Sequence, residues 1–115
     1  MATLIKGNSG SRGLYHAYSA LSAPATGETL DLVIPAPTHY TLVTTVAGVN
    51  TNVVVNLEGS IDNTNWTDLL TDETITSNGT THRTVSGAAV RYVRPAFVSE
   101  AGGTDATVTF GIGVA

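Results

Sequence analysis

Residues 53–69 read VVVNLEGSIDNTNWTDL, and this run decides the fold. Val53, Val55 and Leu57 alternate with Asn52, Val54, Asn56 and Glu58. A period of two with one apolar side is a half-buried strand. Asp62-Asn63-Thr64-Asn65 follows, and Asx side chains accept backbone N–H groups and tolerate left-handed geometry. Trp66 to Leu70 then returns as a short strand, so the run reads as a β-hairpin.

Two other readings compete for the same residues. A helix–loop–helix calcium site needs oxygen ligands at alternate positions, glycine at the sixth and glutamate at the twelfth. Counted from Asp62, the third and fifth places hold Thr64 and Trp66, the sixth holds Thr67 and the twelfth Glu73. Tryptophan cannot ligate and the glycine is missing, which excludes that site. A sugar platform would need Trp66 exposed beside Asp and Asn. Flanking Leu57, Ile61 and Leu69 instead predict that Trp66 packs on the core.

Outward from the hairpin the same alternation recurs. Tyr15–Leu21 alternates loosely, and Leu30, Leu32 and Ile34 oppose Thr29, Asp31 and Val33. Pro35-Ala36-Pro37 ends that strand. Tyr40, Leu42, Thr44 and Val46 oppose Thr41, Val43 and Thr45. Thr71–Thr81 is a polar loop whose Asn78-Gly79 favours a tight reversal, and Thr81–Val85 is a short strand. In Val90–Val98, Arg91, Val93, Pro95 and Phe97 share one face, and Pro95 predicts an edge or a bulge. Val108, Phe110, Ile112 and Val114 close the chain as a last strand. The pattern predicts an all-β, single-domain β-sandwich or jelly roll of about eight mostly antiparallel strands. Gly/Ser-rich residues 7–13 predict a flexible N-terminal arm over 1–13, leaving 14–115 as the β-sandwich domain.

Composition narrows the function classes. Charged residues are 12% of 115, about half the usual share. Lys6 is the only lysine, and the formal charge is −4, so no electrostatic footprint for nucleic acid exists. Cysteine is absent, which removes disulfides and thiolate metal sites and fits folding in a reducing cytoplasm. The start MATLIKGNSGSRG has no apolar core of a signal peptide, and no run is long enough for a membrane span. A surface this neutral and rich in Thr, Ser, Asn and Gly suits a subunit packed against other subunits, or an extracellular β domain.

Reactive constellations are equally sparse. His16, His39 and His82 lie far apart with no metal-ligand spacing. Gly102-Gly103 lacks the Lys-Ser/Thr of a phosphate loop, and no GxSxG elbow occurs. The expectation is no enzyme, no catalytic residue, no cofactor and no metal. Arg91 and Arg94 fall on opposite faces of one strand, and ion pairing with Glu58 or Asp68 is expected.

The order of motifs carries more. A strand over Tyr40–Ala47 leads into the hairpin run, then the Asn78-Gly79 region, then VSGAAVRYVRPAF and a terminal alternating strand. This resembles small virion proteins of tailed bacteriophages, which share a strand ending in xGSxDxxNWxxL, an Asn-Gly region and a G-x-x-RYVR strand. The resemblance covers about residues 38–114, and residues 1–37 carry no matching motif. It implies a β-sandwich virion structural protein. The form it points to is a capsid decoration (cement) protein, a homotrimer on the outside of the phage head that clamps major capsid subunits. Such a protein is made in the host cytoplasm and contacts neither nucleic acid nor membrane. The alternatives are another virion β domain (tail, head–tail or baseplate) and a carbohydrate-binding β-sandwich. On the decoration reading the partner contacts are Leu4, Ile5, Lys6, Arg12 and Tyr15. Leu4 and Ile5 would add a strand to a neighbour, and Arg12 would supply a charge contact.

Overall fold

The computed structural model describes residues 15–31, 39–87 and 90–114. Every regular element in them is a strand: β1 Tyr15–Ala17, β2 Ala25–Thr26, β3 Leu30–Asp31, β4 His39–Ala47, β5 Asn52–Ser60, β6 Thr67–Asp68, β7 Glu73–Ile75, β8 Gly79–Ser86, β9 Tyr92–Ala101 and β10 Thr107–Val114. The predicted arm over 1–13 lies outside the described residues, as does the end of the strand expected to reach Ile34.

All pairing is antiparallel and builds two sheets. Sheet I has the order β1-β10-β4-β8. Sheet II has β5 and β9 at its centre, β2 and β3 along the outer side of β9, and β6 and β7 along the outer side of β5. β2 with β3, and β6 with β7, are each one strand broken in two. Counted that way there are eight strands, four per sheet, as the alternation predicts. The chain changes sheet at each connection except the β5–β6 hairpin and the breaks, which is the connectivity of a jelly roll.

The core sits between the sheets and is built from the alternating positions. β4 contributes Tyr40, Leu42 and Val46, β5 contributes Val53, Val55 and Leu57, and β10 contributes Val108, Phe110, Ile112 and Val114. Tyr18 is fully buried, and its hydroxyl donates to the Glu28 carbonyl at 2.9 Å. Thr44 shares the inward face of β4, and its Oγ1 is buried without a hydrogen-bond partner.

Each break in sheet II has a local cause. Pro95 was expected at an edge or bulge, but β9 is an interior strand and Pro95 pairs with Leu57. In an antiparallel ladder the N–H and C=O of one residue face the same neighbour. The Pro95 carbonyl accepts from Gly27 N at 2.8 Å, so its missing N–H also faces Gly27, at the gap between β2 and β3. A side chain at residue 27 would collide with the Pro95 ring, so only glycine fits there. The bulge lies instead between Val54 and Val55, opposite Val98.

Across the sheet, the gap between β6 and β7 falls at Asn56 and Leu57. The Leu57 carbonyl accepts from Leu69 N at 2.8 Å. The Leu57 N–H is held by Asn56 Oδ1 at 2.7 Å, and Asn56 Nδ2 donates to Asp72 Oδ1 at 2.6 Å. The buried Asn56 thus replaces the missing ladder bond. Two of the strands were not expected from sequence: β2 falls between the expected strands at Tyr15–Leu21 and Leu30–Ile34, and β7 lies in the predicted polar loop.

Two substitutions should move stability in opposite directions. Asn56→Ala strands the Leu57 N–H and is expected to cost about 1–3 kcal/mol. Thr44→Val removes an unpartnered hydroxyl at nearly constant volume and is expected to stabilise by about 1 kcal/mol. Urea denaturation monitored by Trp66 fluorescence checks both.

Candidate functional site

The β5–β6 hairpin turns on Ser60 and Asp62. Asp62 Oδ1 accepts from Thr64 N at 2.9 Å, Asn65 N at 2.8 Å and Ser60 Oγ at 3.0 Å. Asp62 Oδ2 accepts from Asn65 Nδ2 at 2.7 Å. Ser60 Oγ accepts from Asn63 N at 2.9 Å, and Asn63 takes the left-handed conformation at φ 63°. The Asn65 and Thr64 amides, then the Asn65 and Ser60 side chains, hold the Asp62 carboxyl far below the usual carboxylate range. Asp62 is thereby committed to the turn, and the calcium reading fails on geometry as well as on spacing.

Trp66 does not join the core. Gly59 pairs with Thr67 and Glu58 with Asp68, so Trp66 comes level with Ser60 on the outer face of sheet II. It is half-buried there, under the guanidinium of Arg94, which lies 3.9 Å from the ring centroid. The core expectation fails because Leu69, not Trp66, takes the inward position, packing against Gly59.

Arg94 completes the corner. Its Nε donates to Glu58 Oε1 at 2.7 Å, with both side chains only a fifth to a quarter exposed. Asp68, the cross-strand neighbour of Glu58, has its pKa raised by desolvation and by the charges of Asp72 and Glu58. The expected pairing of Arg94 with Glu58 therefore forms. Arg91 pairs instead with Asp31 on β3, at 3.1 Å. At the hairpin tip Ile61 is 74% exposed beside a shallow groove of about 220 Å³, walled by Gly59, Asn65, Thr67 and Val90 among others. Sequence reasoning missed Ile61 as a surface residue. The signal was its place inside the Asx turn, where no sheet face exists to receive it.

Sheet I presents a different surface. Its outward positions include Tyr15 on β1, Thr107, Thr109, Gly111 and Gly113 on β10, Thr41, Val43 and Thr45 on β4, and Thr80, His82 and Thr84 on β8. None is Asp, Glu, Lys or Arg. Thr41 with Thr84, and Thr45 with Thr80, form hydroxyl pairs at 3.0 Å across the strands. The phenol of Tyr15, 53% exposed, lies over Gly111, where a side chain would collide with it. Of the residues expected to contact a partner, Tyr15 thus lies on this neutral face. Leu4, Ile5, Lys6 and Arg12 lie outside the described residues.

Among the described residues, no three His, Cys, Asp or Glu side chains converge to hold a metal ion. None of the groups above forms a nucleophile–base pair. What the two faces offer is contact: a charged, aromatic corner on sheet II and a hydroxyl-rich face on sheet I.

No family model and no curated protein matches the chain. Among solved structures, the fold is similar to that of the SPBc2 prophage-derived protein YomS. The TM-score is 0.60 at 16% identity, covering 88% of this chain and 91% of that one. A second structure, described as "CBM4 structure and function", aligns at a TM-score of 0.42 and 20% identity, covering 88% of this chain and 81% of that one.

The Asp62 turn makes a pH prediction. A carboxyl whose folded pKa is depressed contributes stability that is present above its unfolded value, about 3.9, and is lost as pH falls through the folded value. The Asp62 carboxyl resonance should therefore stay in its ionised position below about pH 3, while exposed Asp and Glu titrate normally. A side-chain carboxyl NMR titration reads this, and in Asp62→Ala the amides of Thr64 and Asn65 should exchange faster. At the corner, a double-mutant cycle of Trp66→Ala and Arg94→Ala is expected to give a coupling of about 0.5–1 kcal/mol in chemical denaturation.

Proposed function

We propose that the chain is a structural protein of a phage virion. More narrowly, it is a decoration (cement) protein that binds the outside of the head as a homotrimer and ties neighbouring major capsid subunits together. One observation carries the reading. The two motifs that resemble tailed-phage virion proteins, GSIDNTNW and RYVR, are some thirty residues apart in sequence yet form one corner. Trp66 of the first stacks on Arg94 of the second, and Arg94 pairs with Glu58 just before the first. A pattern of that kind preserves a fold, not a reaction, and likeness in fold to a prophage-derived protein agrees with it.

The work on this reading is done by buried area and added strands. The neutral face of sheet I suits it, because docking there strips no charge of water. A second reading keeps a specific observation in its favour. Trp66 lies on an outer face rather than in the core, as a carbohydrate platform would require. Against it, one side of the indole is already occupied by Arg94.

Purified protein mixed with heads lacking it should co-sediment, and its copy number by quantitative mass spectrometry should be on the scale of the capsid subunits. A handful of copies per particle would instead point to the tail. Removal of residues 1–13 is expected to leave the sandwich folded, by circular dichroism, and to weaken attachment. Full attachment of the shortened chain would remove the arm from the mechanism.

A further inference from the structure

The two edges of sheet I are unlike. β1 is three residues long. β8 is eight residues long and pairs with β4 in continuous register, without a bulge. It has no proline, and its one charged side chain, Arg83, turns onto Thr71, donating to the carbonyl at 2.7 Å and to Oγ1 at 3.1 Å. Shortness, proline, bulges and outward charge are the means by which natural edges are blunted. The edges of sheet II are blunted by shortness: β2, β3 and β6 have two residues each and β7 has three. Among the described residues, β8 is the edge on which a further strand can be built.

Beside the start of β8 lies a cleft of about 300 Å³, walled by residues 73–81. Glu73 has the parity of buried Ile75, so its side chain enters between the sheets. Glu73 Oε1 and Thr81 Oγ1 are both buried there without a hydrogen-bond partner. A buried acceptor without a donor is costly. Arg83, Arg91 and Arg94 are each held elsewhere, by Thr71, Asp31 and Glu58. The cleft is complementary to a cationic donor that arrives from outside.

We propose that β8 accepts an added strand, Leu4-Ile5-Lys6, from a second copy of this chain, with the Lys6 ammonium donating to Glu73 Oε1 and Thr81 Oγ1. This rests on the self-associating decoration protein proposed above and names its contact. Lys6 is the one lysine of the sequence and directly follows two bulky apolar residues. The chain between Lys6 and Tyr15 can span roughly 30 Å when extended. It joins the sheet at β1, the edge opposite β8. Donor and acceptor on opposite edges give a head-to-tail contact, which closes into a ring when the rotation allows.

The register favours another copy over the chain's own β8. Tyr15 is level with Thr84 through Gly113 and Thr41, and β1 runs antiparallel to β8. The chain therefore enters β1 from the Ser86 end, away from the cleft beside Thr81. A neighbour's cleft is reached without doubling back across the sheet.

The test uses the full-length protein and its Lys6→Glu, Glu73→Lys and combined variants. Sedimentation velocity gives the self-association constant, and hydrogen exchange gives the protection of the β8 amides. Each single variant should weaken association by about tenfold or more and expose β8, and the combined variant should recover to within about threefold of the parent. Lys6→Glu alters no residue of the sandwich, so its effect is not a loss of folding. Unchanged association and exchange in Lys6→Glu would overturn the proposal, as would a combined variant weaker than both singles. Protection of β8 that does not depend on protein concentration would assign the strand to the same chain and overturn the second-copy contact. These measurements need no particles. A protein that passes them yet fails to bind heads counts against the decoration reading alone.

Discussion

β5 and β9 are the two interior strands of sheet II, paired from Asn52 with Ala101 to Ser60 with Tyr92. Everything else in that sheet hangs from them, and both of their outer neighbours are broken. A break in an outer strand normally leaves interior backbone groups unpaired, which a buried site tolerates poorly. Here each break meets a residue suited to it. Pro95 has no N–H to lose where the chain bows at Gly27. Asn56 supplies from its side chain the acceptor that the missing strand would have given to Leu57. The ladder therefore survives with two gaps in its flanks, and the chain stays in sheet II across both.

The long strands were legible because they are half-buried. Tyr40 to Val46, Val53 to Leu57 and Val108 to Val114 each show one apolar parity, and that parity matches the core. β2 and β7 were not legible. Two or three residues are too few to show a period, and Ile75 alone marks β7 as facing inward. Trp66 misled for a different reason. Its apolar neighbours in sequence, Ile61 and Leu69, do not share its face. The alternation counted back from Leu69 puts Thr67 inward and Trp66 outward, so parity carried the answer that proximity obscured.

The hairpin and the RYVR strand illustrate how far a motif reaches. Read singly, Asp62 and Trp66 resemble pieces of a metal loop and a sugar platform, and Arg94 a strand cation in need of a carboxylate. In the fold, Asp62 is bound by its own turn, and Arg94 lies between the indole and Glu58. Their chemistry is directed inward, at one another. The residues left facing outward are those with the least distinctive signatures: the threonines, Gly111, Gly113 and Tyr15.

That neutral sheet has a consequence for where the molecule can work. The Arg91–Asp31 and Arg94–Glu58 pairs lie on sheet II, and the one charged side chain of a sheet I strand is turned away onto Thr71. Contacts made through sheet I release few counterions, so their strength changes little with ionic strength. On the decoration reading, the particle that carries this chain leaves a concentrated cell interior for dilute water and crosses a large change in salt. A joint made through this face would hold on both sides of that boundary, where one built from surface ion pairs would tighten and slacken with the medium.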